Sequence, residues 1–345
     1  MPAGEVRQKL DAAGFTGRAH LHDQQRRPAS RPVVMMVNSF LSELGKRLAE
    51  RWFSVLVLPG ALYLALAVVA HTLGHNRPFD LPFLIDRITA WASTPAAGTL
   101  GGQIMSLVAV LAGSAAVGLV ARSLSALVER ATLAADWRDW PSPLRRYVSR
   151  LVRRRQESWT TRAAAWHQLR RDALDGAVRG ERTDSSERHA AYRAMSRISA
   201  ERPDRPTWCG DRLHAAAIRL ERDFHLQLDV VWPHVWLILP DSARSEITAA
   251  GQGINRATAR TAWAVLCLVL ALVWWPAAAV AAVLFLSGHR GCRAATDLYA
   301  LLLESAAQLH IRDLAERLGL DGTGTPEETG ERVTRMLEGT LPPPP

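Results

Sequence analysis

The sequence predicts an all-α integral membrane protein with about four transmembrane segments and a helical cytoplasmic region. Three stretches, 52–74, 88–121 and 261–288, contain no Asp, Glu, Lys or Arg. Charge fills the rest of the 345 residues, so the mean hydropathy of −0.03 averages two unlike parts. No stretch alternates apolar and polar residues as a half-buried strand does, which leaves helices as the expected regular element.

The first two charge-free stretches predict an N-terminal pair of spans. Residues 52–74 are 23 in number, enough to cross about 30 Å of hydrocarbon at about 1.5 Å per residue. In the second stretch, Pro95 and Gly98 indicate a loop, and the apolar part covers 102–121. Small residues recur four apart in this span: Ala109 with Gly113, and Ser114 with Gly118. Such pairs permit close helix packing in lipid, but the high Ala and Gly content also explains them, and both interpretations stay open.

The third stretch, 261–288, allows two interpretations. It forms either one long tilted helix, giving three spans in total, or two short helices that turn at Trp274-Trp275-Pro276, giving four. Tryptophan prefers the membrane interface, which favours the turn. Basic residues also flank both ends of the stretch: Arg256, Arg260, Arg290 and Arg293. Against the hairpin, each arm has only about 14 apolar residues, which is short for a full crossing.

The distribution of charge predicts the orientation. The first loop balances Arg77 and Arg87 with Asp80 and Asp86, whereas the segment after residue 121 is rich in arginine. By the positive-inside rule, both termini and the segment 122–258 are expected in the cytoplasm of a bacterial cell, with the chain in the plasma membrane.

These features predict five regions along the chain. Residues 1–34 lack periodicity. They are expected either to be disordered or to be a mis-assigned extension, in which case translation starts at Met35 or Met36. The other regions are an N-terminal membrane pair at 35–121, a cytoplasmic helical region at 122–258, a membrane hairpin at 259–290 and a cytoplasmic helical tail at 291–345.

Helical periodicity continues through the polar regions. Residues 144–178 predict one long helix or two, and a further helix is expected over 187–199. Thr207 is a candidate helix cap, and Thr325-Pro326-Glu327-Glu328 has the pattern of a capping box. The apolar segment 230–239 contains Pro233 and is too short to span, so it lies in the membrane interface or closes a small core.

Arginine dominates the basic residues, because only Lys9 and Lys46 among the 42 are lysine. This bias, with abundant alanine, is typical of a GC-rich genome. One cluster is a candidate contact for anionic lipid, although the positive-inside signal also explains it: Arg145, Arg146, Arg150, Arg153, Arg154 and Arg155. The nearby aromatic residues fit a membrane interface better than base stacking, so nucleic acid is not expected as a partner.

No catalytic, cofactor or metal motif is present in the sequence. The three cysteines, Cys209, Cys267 and Cys292, lie at least 25 residues apart, so spacing indicates no metal or redox pair. The predicted spans contain no charged residue, which disfavours an ion-coupled pump. We therefore expect no cofactor, and a non-catalytic role is favoured over an enzymatic one, which stays open.

A set of motifs carries a family resemblance. They comprise Pro206, Thr207, Gly210 and Asp211, then Asp229, Trp232 and Pro233, and then Pro240 before the third charge-free stretch. The pattern P-T-x-x-G-[ND], followed by W-P and a hydrophobic hairpin, resembles an uncharacterised family of actinobacterial-type multi-pass membrane proteins. The resemblance implies the hairpin and implies no activity or functional residues.

The leading functional hypothesis is a non-catalytic scaffold or interaction protein that acts through its cytoplasmic helices. Its expected partners are membrane lipid and either another protein or a second copy of the chain. The alternative is an oligomeric channel or pore-forming effector, and a membrane enzyme comes third.

Overall fold

The computed structural model describes residues 57–94, 98–180, 184–320 and 324–339, and every regular element within them is helical. This confirms the all-α class. The extension 1–34, the two candidate start methionines and the beginning of the first predicted span at 52–56 lie outside the described residues.

Ten α-helices lie within the described residues. In chain order they are α1 (Leu58–Leu73), α2 (Leu81–Ala92), α3 (Leu100–Leu133), α4 (Ser142–Val178), α5 (Ser185–Ser196), α6 (Trp208–Phe224), α7 (Leu228–Ile238), α8 (Asp241–Ala271), α9 (Pro276–Arg317) and α10 (Pro326–Leu337). A single 3₁₀ turn, Trp137–Asp139, lies between α3 and α4.

The first loop differs from the prediction, because part of it is helical. Residues 88–92, expected to be irregular, belong to α2. The carboxylate of Asp80 caps this helix by accepting a hydrogen bond from the backbone N–H of Phe83 at 3.1 Å, and proline stands in its first turn. Similarly, α3 continues 12 residues beyond the predicted end of its span at 121 and stops where Ala134 adopts φ 42°.

The third charge-free stretch is divided into two helices, α8 and α9, by the turn at 272–275. The two helices are antiparallel, because Gly288 lies against Ala257 and Thr261, while Gly253 lies against Ala295. Both helices continue without a break into the polar regions. The boundaries predicted at 258/259 and 290/291 therefore mark a change of composition within continuous helices.

Contacts between α1, α3 and α8 define how the apolar helices are arranged. The hydroxyl of Tyr63 donates to the carbonyl of Leu266 at 3.1 Å, which places α1 beside α8. Gly60 faces Ser114 so closely that an added Cβ would lie 2.0 Å from the Ser114 carbonyl oxygen. Close helix approach of this kind requires glycine.

The tip of the α8–α9 hairpin meets the loop that follows α1. The indole N–H of Trp274 donates to the carbonyl of Pro78 at 3.0 Å, and the rings of Phe79 and Trp275 meet edge to face at 5.8 Å. At the opposite end, the hydroxyls of Ser125 in α3 and Thr258 in α8 are 3.4 Å apart. The end of α1 and the hairpin tip thus share one end of the apolar bundle, and the arginine-rich segments leave from the other.

A hydrophobic core lies where α6, α7, α8, α9 and α10 meet. Segment 230–239 closes this core, with Val231, Val235 and Leu239 buried, so core closure describes it better than an interfacial location. The predicted capping box is present at the start of α10, where Thr325 and Glu328 cap each other.

The remaining two helices form a helical hairpin that we call the arm (α4 and α5). The stretch 144–178 is a single helix, and α5 covers Ser185–Ser196, slightly earlier than expected. At its base, α4 packs Val148 and Val152 against Trp137. Farther along, Trp166 of α4 contacts Tyr192 of α5 with ring centroids 5.7 Å apart.

Candidate functional site

Asp211 in the first turn of α6 is the centre of a joint between helices. It is 2% exposed, and its Oδ1 accepts hydrogen bonds from the backbone N–H groups of Asp204 at 3.0 Å and Arg205 at 2.8 Å. Its Oδ2 accepts one from the guanidinium of Arg155 at 2.6 Å. Burial raises the pKa of the Asp211 carboxyl, while these three donors oppose that increase.

Two further motif residues attach the start of α6 to the end of α3. Thr207 caps α6 by accepting a hydrogen bond from the N–H of Gly210 at 3.0 Å, and its hydroxyl donates to the carbonyl of Thr132. Gly210 leaves room for the backbone of α3, since a Cβ there would lie 2.4 Å from the carbonyl oxygen of Leu133. The joint thus provides partners for carbonyl groups that the end of a helix otherwise leaves unsatisfied.

The loop before α6 is fastened by side chains from the base of the arm. The indole N–H groups of Trp137 and Trp159 donate to the carbonyls of Asp204 and Ser199, both at 3.0 Å. The amide of Gln156 donates to the carbonyl of Pro203 at 2.8 Å. Pro206, Thr207, Gly210 and Asp211 therefore belong to a structural joint that connects α3, α4 and α6.

The other motif residues lie at an open cleft of about 660 Å³ between α6, α7 and α9. Its lining includes Arg205, His214, Glu221, Asp229, Trp232, Pro233 and Tyr299. Pro240 stands apart from the cleft, at the residue that precedes α8. The cleft combines aromatic faces with groups of both charges, which suits binding of a polar segment better than binding of an apolar one.

Burial and nearby charge shift the pKa values of two side chains at this cleft. The pKa of His214 is lowered by burial and by the positive charge of Arg205. Burial also raises the pKa of Tyr299. Both groups are consequently neutral near pH 7 and can only form hydrogen bonds or stack. In the described part of the chain, no three His, Cys, Asp or Glu side chains are grouped to hold a metal ion.

The arginine cluster is divided by the fold. Arg145, Arg146, Arg150, Arg153 and Arg154 are exposed on α4, and within the described ranges no carboxylate pairs with them. Arg155 differs from the predicted lipid contact, because its guanidinium is directed inward to Asp211 and to the carbonyl of Ile198 at 2.9 Å. A lipid-binding surface would therefore consist of the other five arginines.

The small residues of α3 are also divided. Ser114 and Gly118 are buried, and Ser114 faces Gly60 of α1. Gly113 lies near Leu64, whereas Ala109 is exposed. The spacing of Ser114 and Gly118 thus serves packing within the chain.

Comparison with protein-family models, with curated proteins and with solved structures finds no match to this chain. The family resemblance of the motifs stays a prediction.

Two arrangements were missed by sequence reasoning. Arg212 bridges α6 to α9 through Asp297 at 2.6 Å and Glu304 at 3.0 Å, and Arg219 pairs with Glu304 at 2.5 Å. The thiols of Cys209 and Cys292 also meet, with their sulfur atoms 3.6 Å apart. The partners in both cases are more than 80 residues apart in sequence, where no local pattern can connect them.

Proposed function

We propose that this protein is a non-catalytic, multi-pass scaffold of a bacterial plasma membrane. Helices α1 and α3 and the α8–α9 hairpin form its four membrane segments. The core around α6, α7 and α10 and the arm lie in the cytoplasm, and the arm is the interaction surface.

Helix α3 is the first support for membrane insertion. Of the described helices, it alone is long and apolar enough by itself to cross a bilayer. Its buried residues are only Ser114, Gly118 and Ala121, while large side chains such as Ile104 and Met105 are exposed. A helix in the core of a soluble protein would bury such side chains, so lipid is the solvent that suits this surface.

The hairpin contacts support a shared membrane region. Trp274 and Trp275 meet residues 78–79 of the first loop, so the hairpin tip lies level with the end of α1. Exposed apolar residues, among them Leu268 in α8 and Val283 in α9, face outward along both helices of the hairpin. The apolar part of each helix, about 14 residues, spans only about 21 Å, but the helices continue past Thr258 and Cys292. The flanking arginines can extend toward the headgroups to cover the difference.

The surface charge of the arm is the main observation that supports a scaffold function. Five exposed arginines near the base of α4 have no carboxylate partner in the described part of the chain. The same helix is fastened to the bundle through Arg155 and Asp211. A cationic surface without carboxylate partners attracts an anionic partner, either lipid headgroups or an acidic protein surface.

Photo-crosslinking in cells tests this function. A diazirine amino acid placed at Tyr147 or Val178 reports on the arm, and one at Leu309 of α9 is the matched exposed control. We expect discrete protein or lipid adducts from the arm positions and fewer from Leu309. Replacing Arg145, Arg146, Arg150, Arg153 and Arg154 together with glutamine should reduce these adducts at least several-fold. Equal adducts from arm and control, or adducts that do not depend on charge, would contradict the proposal.

A further inference from the structure

Cys209 and Cys292 form a pair of thiols at the seam between α6 and α9. Their sulfur atoms are 3.6 Å apart, and each residue is 5% exposed. Cys209 lies in the first turn of α6, and Cys292 lies in α9 four residues before Thr296, whose hydroxyl is 4.0 Å from the Cys292 sulfur. A disulfide requires a sulfur separation of about 2 Å, so the two sulfur atoms must move about 1.6 Å closer to form the bond.

The surroundings favour a thiolate at Cys209. The first turn of a helix presents unpaired N–H groups and a positive dipole end. The guanidinium of Arg293 lies nearby, 4.3 Å from the ring of the adjacent Trp208. A hydrogen bond with the Cys292 thiol, together with the Arg293 charge, lowers the pKa of Cys209, although burial opposes this. The pKa of Cys292 is raised, because its thiol shares that hydrogen bond and is buried.

We propose that Cys209 and Cys292 are a reversible redox pair, which a peroxide converts into an intramolecular disulfide that links α6 to α9. The proposal is independent of the scaffold function and of the membrane orientation, because it rests only on the two thiols.

The chemistry uses one peroxide molecule per disulfide. The Cys209 thiolate attacks one oxygen of hydrogen peroxide, the O–O bond breaks, and Cys209 becomes a sulfenic acid while hydroxide leaves and takes up a proton to form water. The Cys292 sulfur then attacks the Cys209 sulfur, the S–O bond breaks, and a second water leaves with the Cys292 proton. Two thiols and one peroxide thus yield one disulfide and two waters, and a dithiol reductant reverses the change.

A disulfide here would fix the seam at a point where only noncovalent contacts now hold it. Next to Cys209, Arg212 pairs with Asp297 and Glu304 of α9. The covalent bond would prevent α6 from separating from α9 and would thereby hold the cytoplasmic core against the hairpin.

Peptide mass spectrometry of the purified full-length protein tests the proposal. After treatment with hydrogen peroxide, we expect a disulfide-linked peptide pair containing Cys209 and Cys292, two hydrogen atoms lighter than the reduced pair. Under denaturing conditions, Cys209 and Cys292 should no longer react with an alkylating reagent, whereas the thiol of Cys267 should still react. A dithiol reductant should restore all three.

Two variants separate the pair from general oxidation. Cys267→Ser should form the same disulfide to the same extent. Cys292→Ser should stop at the sulfenic acid of Cys209, which a cyclic 1,3-diketone traps. Three intact thiols after peroxide treatment, a disulfide that includes Cys267, or a disulfide between two chains would each overturn the proposal.

Discussion

The guanidinium of Arg155 lies 2.6 Å from the carboxylate of Asp211 and connects the base of the arm to the first turn of α6. The two residues are 56 positions apart in sequence. Because Asp211 also accepts two backbone N–H groups of the loop before α6, a single carboxylate positions the arm, the loop and the helix together. This pair acts together with the hydrogen bonds of Gln156 and Trp159 to the same loop in setting the orientation of the arm.

Removing the cation from this pair should destabilise the protein. Arg155→Met leaves a buried carboxylate without its counter-charge, and we expect the free energy of unfolding to fall by about 3 kcal/mol. Chemical denaturation in detergent measures the loss. The double variant Arg155→Met with Asp211→Asn should recover part of it, because the amide still accepts the backbone hydrogen bonds and carries no charge.

The Arg138–Asp204 pair supplies the control. Its side chains are 69% and 37% exposed, so Arg138→Met should cost about 0–1 kcal/mol. If both arginine variants lose the same free energy of unfolding, the Arg155–Asp211 pair does not stabilise the joint between the arm and α6.

The location of His214 predicts a loss of stability at acid pH. Its folded-state pKa is lowered, first by burial and then by the charge of Arg205, so the unfolded chain binds its proton more readily. The stabilising contribution is therefore present above the unfolded pKa of about 6.5 and is lost as pH falls through the lower, folded-state pKa.

Unfolding measured at about pH 7.5 and about pH 5.5 tests this dependence. His214→Gln should lose less free energy between the two conditions than the natural protein, since the other histidines contribute equally to both. An identical loss in the two proteins would show that His214 does not titrate across this range.

The contact between α1 and α3 predicts different outcomes for two glycine substitutions. Gly60→Ala places a Cβ 2.0 Å from the backbone oxygen of Ser114, which forces the helices apart. We expect a loss of about 1–3 kcal/mol in the free energy of unfolding. Gly101→Ala, also within an apolar helix, meets nothing within 4 Å and should be neutral or slightly stabilising. Equal effects of the two substitutions would contradict the close packing of α1 on α3.

Local patterns predicted the helices, and they did not predict which residues meet. The caps at Thr207 and Thr325 and the turn near Trp274 depend on residues a few positions apart, so the sequence alone indicated them. Arg155 looked identical to its neighbours in the cluster, because only the fold brings Asp211 to it. The Cys209–Cys292 pair was missed for the same reason, since spacing rules describe ligands on one local segment.

The arrangement of the apolar helices predicts a specific membrane topology. In a chain in which Cys209, Cys267 and Cys292 are replaced by serine or alanine, single cysteines at Thr94 and Leu272 should react with an impermeant thiol reagent in intact cells. Thr94 follows α2 in the first loop, and Leu272 is 79% exposed at the hairpin tip, the end that also holds residues 78–79. A cysteine at Ser185, at the start of α5, should react only after the cells are opened, because the positive-inside rule predicts that the arginine-rich arm lies in the cytoplasm.

A reporter fused to the C-terminus completes this test. Because α8 and α9 are antiparallel and Ser125, in the last third of α3, lies beside Thr258, the chain after α9 should lie on the same side as the arm. A reporter active only in the cytoplasm should therefore function there. Labelling of the cysteine at position 185 in intact cells would show that the orientation is the inverse of the predicted one. A silent cytoplasmic reporter together with an active periplasmic one would contradict a hairpin that enters and leaves on one side. Equal labelling of all three cysteines in intact cells, with the cells shown to be sealed, would contradict membrane insertion itself.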